Sequence, residues 1–236
     1  MTPYYMDAAV QLFHGDCREI LPQLEPVDHV ITDPPYAAET HDGARGGAGD
    51  SKLVTFEPVD AGELRMLYGA LQARRWLIAT MDWRHIYVME QQPPTGWRFV
   101  RFGIWVKPNG APQFTGDRPA TGWEGVACLH RDVPGRMRWN GGGRHAVFTH
   151  SKINGQHPTA KPEAFIEELV TLFTDEGESI LDPFMGSGTT LVAAKKLGRR
   201  AIGIEREEQF CEVAARRLSI RFQTIEGGLF AQETPA

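Results

Sequence analysis

A carboxylate, two prolines and an aromatic ring follow one another at Asp33, Pro34, Pro35 and Tyr36. The short run before them, residues 29–32, predicts a strand that ends at the carboxylate. Because proline has no amide hydrogen, carbonyl oxygens near the pair lack neighbouring donors and can point into a cleft. Oxygen acceptors beside a stacking ring suit the binding of an exocyclic amino group on a planar molecule. The alternative interpretation is that Asp-Pro-Pro forms only a turn.

A second segment joins a predicted strand to a predicted helix through a glycine-rich turn. Residues 179–181 are typical of a buried strand, 182–190 contain the sequence Gly-Ser-Gly, and 191–197 show a helical pattern ended by Gly198. In this arrangement a cofactor can approach backbone amides at the start of a helix. Glu205 ends the next predicted strand, about 20 residues after the glycines, where a carboxylate can accept hydrogen bonds from ribose hydroxyls.

With these motifs the chain resembles the amino DNA methyltransferases, the N6-adenine and N4-cytosine enzymes that use S-adenosylmethionine. Residues 33–36 match the catalytic motif of that family, and residues 182–189 match its cofactor motif. Residues 157–162, His-Pro-Thr-Ala-Lys-Pro, match the segment that the family places just before the cofactor motif. The catalytic motif comes first, which is the circularly permuted order of the β group. The resemblance covers nearly the whole chain.

The resemblance implies an α/β, Rossmann-like fold in a single methyltransferase domain over residues 1–236, with a mostly parallel sheet. Two successive predicted strands without a helix between them, 99–106 and 125–129, indicate an antiparallel pair at one edge of that sheet. The first part of segment 37–58, residues 37–50, contains four glycines and few apolar residues, so we expect a mobile loop that contacts DNA. Besides the helix over 191–197, five further helices are predicted over 17–24, 64–73, 83–91, 162–173 and 207–218. The tail 223–236 is expected to fray.

The implied site has a catalytic part and a cofactor part. In the catalytic part, the Asp33 carboxylate and the Pro34 carbonyl accept the protons of the target amine, Pro35 completes the turn, and Tyr36 stacks on the base. The residues implied to bind the cofactor lie on several predicted elements: Asp16, Lys161, Asp182, Phe184, Gly186, Ser187, Gly188, Thr189 and Glu205. The histidines show no ligand spacing, so no metal site is expected.

The expected reaction is methyl transfer from S-adenosylmethionine to the N6 amine of adenine in duplex DNA, by base flipping and direct in-line transfer. Within the family, aspartate at the first position of the tetrad favours adenine and serine favours cytosine, although not exclusively. N4-cytosine methylation on the same scaffold is therefore the alternative. A non-catalytic subunit that binds cofactor or DNA is a third interpretation. The intact tetrad and glycine turn argue against it.

Charge is unevenly distributed along the chain. The net charge is −5, but nine basic and three acidic residues between Arg98 and Lys152 give that window +6 and leave −11 elsewhere. The window predicts a basic DNA face on an acidic body. The alternative is a basic stretch that is merely solvated. By position, segment 132–156 corresponds to a target-recognition region, and its candidate DNA-binding residues are Arg136, Arg138, Trp139 and Arg144. A structural loop is the alternative.

Composition is that of an ordinary globular protein, with 42% hydrophobic and 23% charged residues. No apolar run reaches the roughly 18 residues that a membrane helix needs, and the first residues lack the features of a signal peptide. The three cysteines are far apart and are expected to be reduced thiols, so we expect a cytoplasmic protein. The recognition segment is short, which leaves room for a homodimer that shares recognition of double-stranded DNA.

Overall fold

The computed structural model describes residues 1–35, 59–153 and 161–220, together with the backbone of two short strands beyond them. The helices are α1 Cys17–Ile20 (continued by a 3-10 turn, Leu21–Gln23), α2 Ala61–Ala70, α3 Trp83–Gln91, α4 Glu163–Phe173, α5 Thr189–Lys196 and α6 Glu208–Ser219. The strands are β1 Tyr5–Met6, β2 Val10–His14, β3 His29–Thr32, β4 Trp76–Met81, β5 Trp97–Val106, β6 Trp123–Arg131, β7 Val147–Thr149, β8 Ser179–Asp182, β9 Arg200–Glu205, β10 Phe222–Ile225 and β11 Gly228–Ala231.

Nine of these described strands form one mixed sheet in the order β1-β2-β9-β8-β3-β4-β6-β5-β7. The central strands β2, β9, β8, β3 and β4 are parallel to one another, and β6 runs antiparallel to both β4 and β5. The expected mostly parallel sheet with an antiparallel pair is therefore confirmed. The pair is not outermost, because the short strand β7 adds to the free side of β5 in parallel.

Helices cover both faces of the sheet. One hydrophobic cluster joins the sheet to α4, α5 and α6, and a second joins its other face to α1, α2 and α3. All six residues of β4 are buried, as are all four of β3. Strands with both faces covered bury nearly every side chain, which explains their continuous apolar pattern.

The direction of the chain reverses between β3 and β8. The chain leaves β3 toward β4 on one side, whereas it leaves β8 toward β9 on the other. At such a switch point the two connections separate and open a crevice at the carboxyl ends of the strands, where α/β proteins bind their ligands. Residues 33–36 and 182–189 follow these two strands, so the fold brings both sequence motifs to one crevice.

Element boundaries agree with the sequence expectations to within a few residues, apart from the tail and the short strands β1 and β7, which were not predicted. The helix over 83–91 is found as expected, whereas α2 begins and ends three residues earlier than its predicted range. The tail was expected to fray, but β10 and β11 pair there as an antiparallel hairpin. Within the described ranges, no helix is long and apolar enough to cross a membrane.

Candidate active site

The carboxylate of Asp33 lies directly after β3 and is held from two sides. Pairing of Thr32 with Ala79 places Thr80 beside it, and the Thr80 hydroxyl donates to Asp33 Oδ1. The ammonium of Lys161 donates to Asp33 Oδ2 over 2.6 Å. These contacts fix the direction of the carboxylate at the crevice. Each oxygen of the carboxylate can accept more than one hydrogen bond, so Asp33 can also accept one from a target amine.

The rest of the tetrad is described only in part. Pro34 is buried and Pro35 is half-buried, and the Pro35 carbonyl accepts a 3.3 Å hydrogen bond from the Val59 amide. Tyr36 and the loop 37–58 lie outside the described residues. Stacking by Tyr36 and DNA contact by that loop therefore stay predictions.

The Gly-Ser-Gly turn joins β8 to α5 with two glycines in the left-handed region. Gly186 has φ of 52°, and Gly188, which caps α5, has φ of 79°. A side chain at Gly188 would place its Cβ only 2.8 Å from the Cβ of Ala214. At Gly186 a Cβ would meet no atom within 4 Å, so the chain there borders open space. Glycine is thus required at 188 for packing, whereas 186 exposes bare backbone to the crevice.

Arg217 of α6 holds the turn from behind, and no sequence pattern indicated it. Its guanidinium donates to the Ser187 carbonyl over 2.7 Å and to the Thr189 hydroxyl over 3.1 Å. Ser187 and Thr189 are both buried, so their side chains are engaged within the protein. A cofactor contact by Ser187 and Thr189 stays a prediction, and their backbone amides near the start of α5 are the groups suited to it.

Asp182 ends β8 and is almost fully buried, with 3% of its surface exposed. Its Oδ1 accepts hydrogen bonds from the Thr32 hydroxyl over 2.7 Å and from the Phe184 amide over 3.1 Å. Burial raises the pKa of this carboxyl to about 6, although the hydrogen bonds oppose the shift. Asp182 thus fastens the cofactor turn to the catalytic strand. The direct cofactor contact implied for it stays a prediction.

The raised pKa of Asp182 predicts how stability depends on pH. Between about pH 4 and 6 the unfolded chain ionises this group before the folded protein does, so the folded state loses up to about 3 kcal/mol as pH rises. Asp182→Asn removes the ionisation. We expect the free energy of unfolding of the variant, relative to that of the parent, to increase between pH 4 and 7 in urea titrations. A difference that stays constant with pH would contradict the assignment.

Glu205 ends β9, beside β8, and only 9% of its surface is exposed. Its Oε2 accepts from the Gly186 amide over 2.9 Å and its Oε1 from the Glu207 amide over 2.8 Å. Burial raises the pKa of this carboxyl, and its backbone hydrogen bonds oppose the shift. The two amides orient the carboxylate next to the open side of the turn. The carboxylate of Glu205 therefore lies where the sequence predicts an acceptor for ribose hydroxyls.

Asp16 lies one strand further along the same edge. It follows β2, whose last residue, His14, pairs with Glu205, and it caps α1 by accepting from the Arg18 amide over 2.8 Å. The Arg18 guanidinium also contacts its carboxylate, and together these bonds lower the pKa of Asp16. Phe184, half-buried, packs against the cluster on the α1–α3 face. The structure thus brings Asp16, Phe184 and Glu205 to the crevice beside the glycine turn.

These residues fit a nucleoside cofactor with a charged amino-acid end. The backbone beside Gly186 borders open space, helix α5 presents amides at its start, and the Glu205 carboxylate is already oriented by two amides. Amides at a helix start favour a carboxylate, and an oriented carboxylate favours hydroxyl donors. The donors and acceptors are therefore those that S-adenosylmethionine requires.

Lys161 lies in the catalytic half of the site. The resemblance placed it near the amino-acid portion of the cofactor, but its ammonium bonds Asp33 Oδ2 and also lies 3.2 Å from Glu124 Oε2. The other oxygen of Glu124 pairs with Lys107. Neither Glu124 nor Lys107 was expected in the site, because they follow no motif and reach it from β6 and the end of β5. A cofactor contact by Lys161 stays a prediction.

Two of the candidate DNA-binding residues, Arg138 and Trp139, lie away from the catalytic edge. Arg138 pairs with Asp175, and its carbonyl accepts from the indole of Trp76, the first residue of β4. Trp139 packs on Phe173 at the end of α4. Both therefore lie at the amino ends of the parallel strands, opposite Asp33. This placement separates Arg138 and Trp139 from the catalytic aspartate, and DNA contact by the two residues stays a prediction.

The two remaining arginines of the segment differ from each other. Arg144 pairs with Glu168 in the middle of α4, and Glu168 also bonds His150. Arg136 is exposed on the surface. Of the segment 132–156, residues 154–156 lie outside the described ranges. The described part lies along the edge of the sheet and α4, and a role of the segment in target recognition stays a prediction.

Comparisons with known proteins agree with this geometry. A family model described as DNA methylase matches residues 130–216. Two curated relatives are each 30% identical: the Type II methyltransferase M2.DpnII of Streptococcus pneumoniae, with 94% of both chains covered, and M2.LlaDCHI of Lactococcus lactis subsp. cremoris, with 92% of both covered. The crystal structure of the M1.HpyAVI–SAM complex superposes with a TM-score of 0.69 at 26% identity, over 89% of this chain and all of that one.

A cofactor turn, a carboxylate beside it and relatives over nearly the full length point to the same activity. The chain belongs to the β group of amino DNA methyltransferases, which transfer a methyl group from S-adenosylmethionine to an exocyclic amine of DNA.

Proposed function

We propose that the base methylated by this enzyme is adenine, at its exocyclic N6 amine in duplex DNA, with N4 of cytosine as the alternative. The observation that carries the proposal is the Asp33 carboxylate at the end of β3, held by Thr80 and Lys161 beside the cofactor turn. Aspartate at this position favours adenine within the family. A carboxylate accepts a proton of an amine more strongly than a serine hydroxyl does.

The chemistry follows from the weakness of the amine as a nucleophile. Its lone pair is delocalised into the base, and acceptors on its two protons localise that pair on nitrogen. We assign the Asp33 carboxylate and the Pro34 carbonyl to these protons. The carboxylate also takes up the proton that the amine must lose. Orientation and electrostatic stabilisation then supply most of the rate acceleration.

The cofactor half of the crevice would hold S-adenosylmethionine at named groups. We assign its amino-acid carboxylate to the amides at the start of α5, its methionine end to Phe184 and the glycine turn, its ribose hydroxyls to Glu205, and its adenine to the region of Asp16. When bound, it supplies a methyl group on a positively charged sulfur. The turn and the Asp33 carboxylate meet between β8 and β3, so the methyl donor and the amine acceptor share one crevice.

The proposal is tested by identifying the methylated nucleoside. Duplex DNA lacking prior methylation is incubated with the protein and isotope-labelled S-adenosylmethionine, digested to nucleosides, and measured by mass spectrometry. We expect labelled N6-methyldeoxyadenosine, and none when Asp33→Ala protein replaces the parent. Labelled N4-methyldeoxycytidine instead would establish the alternative.

We further propose that DNA contacts the loop between β5 and β6, residues 107–122. This loop leaves Val106 and enters Trp123, and residue 125 of β6 pairs with Met81 at the carboxyl end of β4. The loop therefore lies at the catalytic edge. At its tip Phe114 is 89% exposed, and an exposed aromatic ring beside a base-binding site is suited to stacking on unpaired bases.

Two sets of substitutions locate the DNA. We expect the double variant Phe114→Ala/Arg118→Ala to bind a cognate duplex more weakly. Loss of the stacking ring should cost about 1–3 kcal/mol. If Arg118 contacts a phosphate, the slope of log affinity against log salt concentration should also become shallower by about 0.9. Replacing Arg136, Arg138 and Arg144 together should leave affinity close to that of the parent, because Arg138 is held at the amino ends of the parallel strands, opposite Asp33, and Arg144 is held against the middle of α4. Fluorescence anisotropy at several salt concentrations measures both sets.

The opposite result would restore the sequence-based assignment. If the triple arginine variant loses affinity while the loop variant binds like the parent, the segment 132–156 is the DNA face. Calorimetry with S-adenosylmethionine is the control, because neither set touches the cofactor turn.

A homodimer and a cytoplasmic location fit a DNA-modifying enzyme, and light scattering at micromolar concentration tests the first of these.

A further inference from the structure

Four charged side chains form a continuous cluster at the catalytic edge. Lys161 Nζ lies 2.6 Å from Asp33 Oδ2 and 3.2 Å from Glu124 Oε2, and Lys107 pairs with Glu124 Oε1. The side chains of Lys161 and Lys107 are only 10% and 7% exposed, and that of Glu124 is 25% exposed. Each oxygen of Glu124 thus faces one ammonium, which makes Glu124 the central member of the cluster.

The cluster is electrically balanced. Two carboxylates and two ammoniums sum to zero, and buried charges are tolerated only when they are paired in this way. The ring of Trp105 lies against both ammoniums, with its centroid 4.6 Å from Lys107 Nζ and 6.0 Å from Lys161 Nζ. The ring excludes water on that side without offering a competing anion. Lys161 therefore divides its charge between the carboxylates of Asp33 and Glu124.

The electrostatics of the cluster agree with this division. Burial by itself would raise the pKa of Glu124, but Lys161 and Lys107 outweigh burial and lower it. Burial by itself would lower the pKa of Lys161, but Asp33 and Glu124 outweigh it and raise the pKa. Both groups are therefore charged at neutral pH, and the balance between them acts on Asp33.

We propose that Glu124 is a positioning residue for methyl transfer, which acts on Asp33 by sharing the ammonium of Lys161. An ammonium bound to Asp33 alone would draw electron density from the carboxylate and occupy more of its lone pairs. Glu124 holds the ammonium in a bridging position, so that Asp33 keeps its orientation and remains a strong acceptor for the target amine. This inference rests on the role proposed for Asp33.

Removal of Glu124 upsets the balance in a defined direction. Glu124→Gln removes one of the two carboxylates of the cluster and keeps both ammoniums, so the cluster carries an excess positive charge. A second substitution, Lys107→Gln, removes that excess and leaves Lys161 paired with Asp33. The two substitutions should therefore compensate each other in part, because the charge balance is restored while the ammonium of Lys161 is no longer shared. Losses from two unrelated packing defects would simply accumulate.

Single-turnover methyl transfer to duplex DNA measures the effect. We expect Glu124→Gln to lower the rate by about tenfold to a hundredfold. The dissociation constant of S-adenosylmethionine should stay within about twofold of the parent's, because the cofactor turn lies on the other side of β3. We expect the double variant Glu124→Gln/Lys107→Gln to be faster than Glu124→Gln alone. Glu167→Gln is the matched control, since Glu167 also holds a lysine, Lys196, over 2.6 Å, but between α4 and α5.

Three outcomes decide the inference. A parent-like rate in Glu124→Gln overturns it, and so does a double variant that is slower than the single one. If Glu124→Gln does not fold, Glu124→Asp keeps the charge but shortens the side chain so that it cannot reach both lysines, and a parent-like rate in this variant overturns the inference equally. The Asp33→Ala variant distinguishes a failure of this inference from a failure of the proposed function. If Asp33→Ala is inactive, only the role of Glu124 is wrong; if Asp33→Ala is active, the role proposed for Asp33 is wrong as well.

Discussion

Asp33→Ala is expected to lower the rate of methyl transfer by about 10³-fold or more, while S-adenosylmethionine binds with nearly the affinity of the parent. The reason is that Asp33 supplies the charged acceptor for the target amine, and loss of one such electrostatic contact typically costs 10²–10³ in rate, with proton acceptance adding to it. The cofactor turn depends on other groups, chiefly Glu205, Arg217 and the glycines. Single-turnover assays and calorimetry measure the two quantities.

A matched control separates this effect from loss of any half-exposed carboxylate. Asp175 is paired with Arg138 at the amino ends of the parallel strands, far along the sheet from the crevice. Asp175→Ala should therefore leave methyl transfer within about twofold of the parent. Substantial turnover by Asp33→Ala, with folding intact by circular dichroism, would remove Asp33 from the reaction.

Glu205→Ala is expected to weaken S-adenosylmethionine by roughly 1.5–3 kcal/mol, or about 10- to 150-fold, as for a lost charged hydrogen-bond pair. The carboxylate is oriented by the amides of Gly186 and Glu207, so the substitution also frees the turn. The effect on affinity therefore has a direct and an indirect part. Calorimetry with the product, S-adenosylhomocysteine, gives the total without turnover.

A ribose analogue isolates the direct part. The parent should bind S-adenosylhomocysteine more tightly than its 2′-deoxy analogue, because one hydroxyl donor to Glu205 is missing. In Glu205→Ala this preference should disappear, whatever happens to the overall affinity. A preference that persists in the variant would show that the ribose is held elsewhere and that Glu205 only supports the turn.

The architecture could be predicted because its signals are local and repeated. The apolar runs before Asp33 and Asp182 predict buried parallel strands, and the glycines at 186 and 188 predict a turn into a helix. Motif order then places both turns at the carboxyl edge of one sheet. The strand β7 was missed because it contains three residues, of which only Phe148 is buried.

The details of the site were harder to predict because they depend on contacts distant in the chain. Arg217 reaches Ser187 from a helix thirty residues later, and Glu124 reaches Lys161 from a strand with no motif. Arginine and tryptophan near position 138 carry the composition of a DNA-binding segment, but the pairing partner Asp175 and the ring of Phe173 hold them at the opposite end. The composition of the segment shows that it is basic, whereas only the fold shows at which end of the sheet these side chains lie.

The hydrogen bond between Thr32 and Asp182 has a consequence for how the enzyme is made. It joins two residues 150 positions apart, on neighbouring strands that form the two sides of the crevice. During synthesis the catalytic strand emerges long before its partner, and contacts of such high sequence separation form late in folding. A ribosome-bound chain that ends before β8 has the catalytic aspartate but no methyl-donor pocket. A product truncated before β8 lacks the glycine turn and Glu205, so we expect it to have no methyl transfer activity.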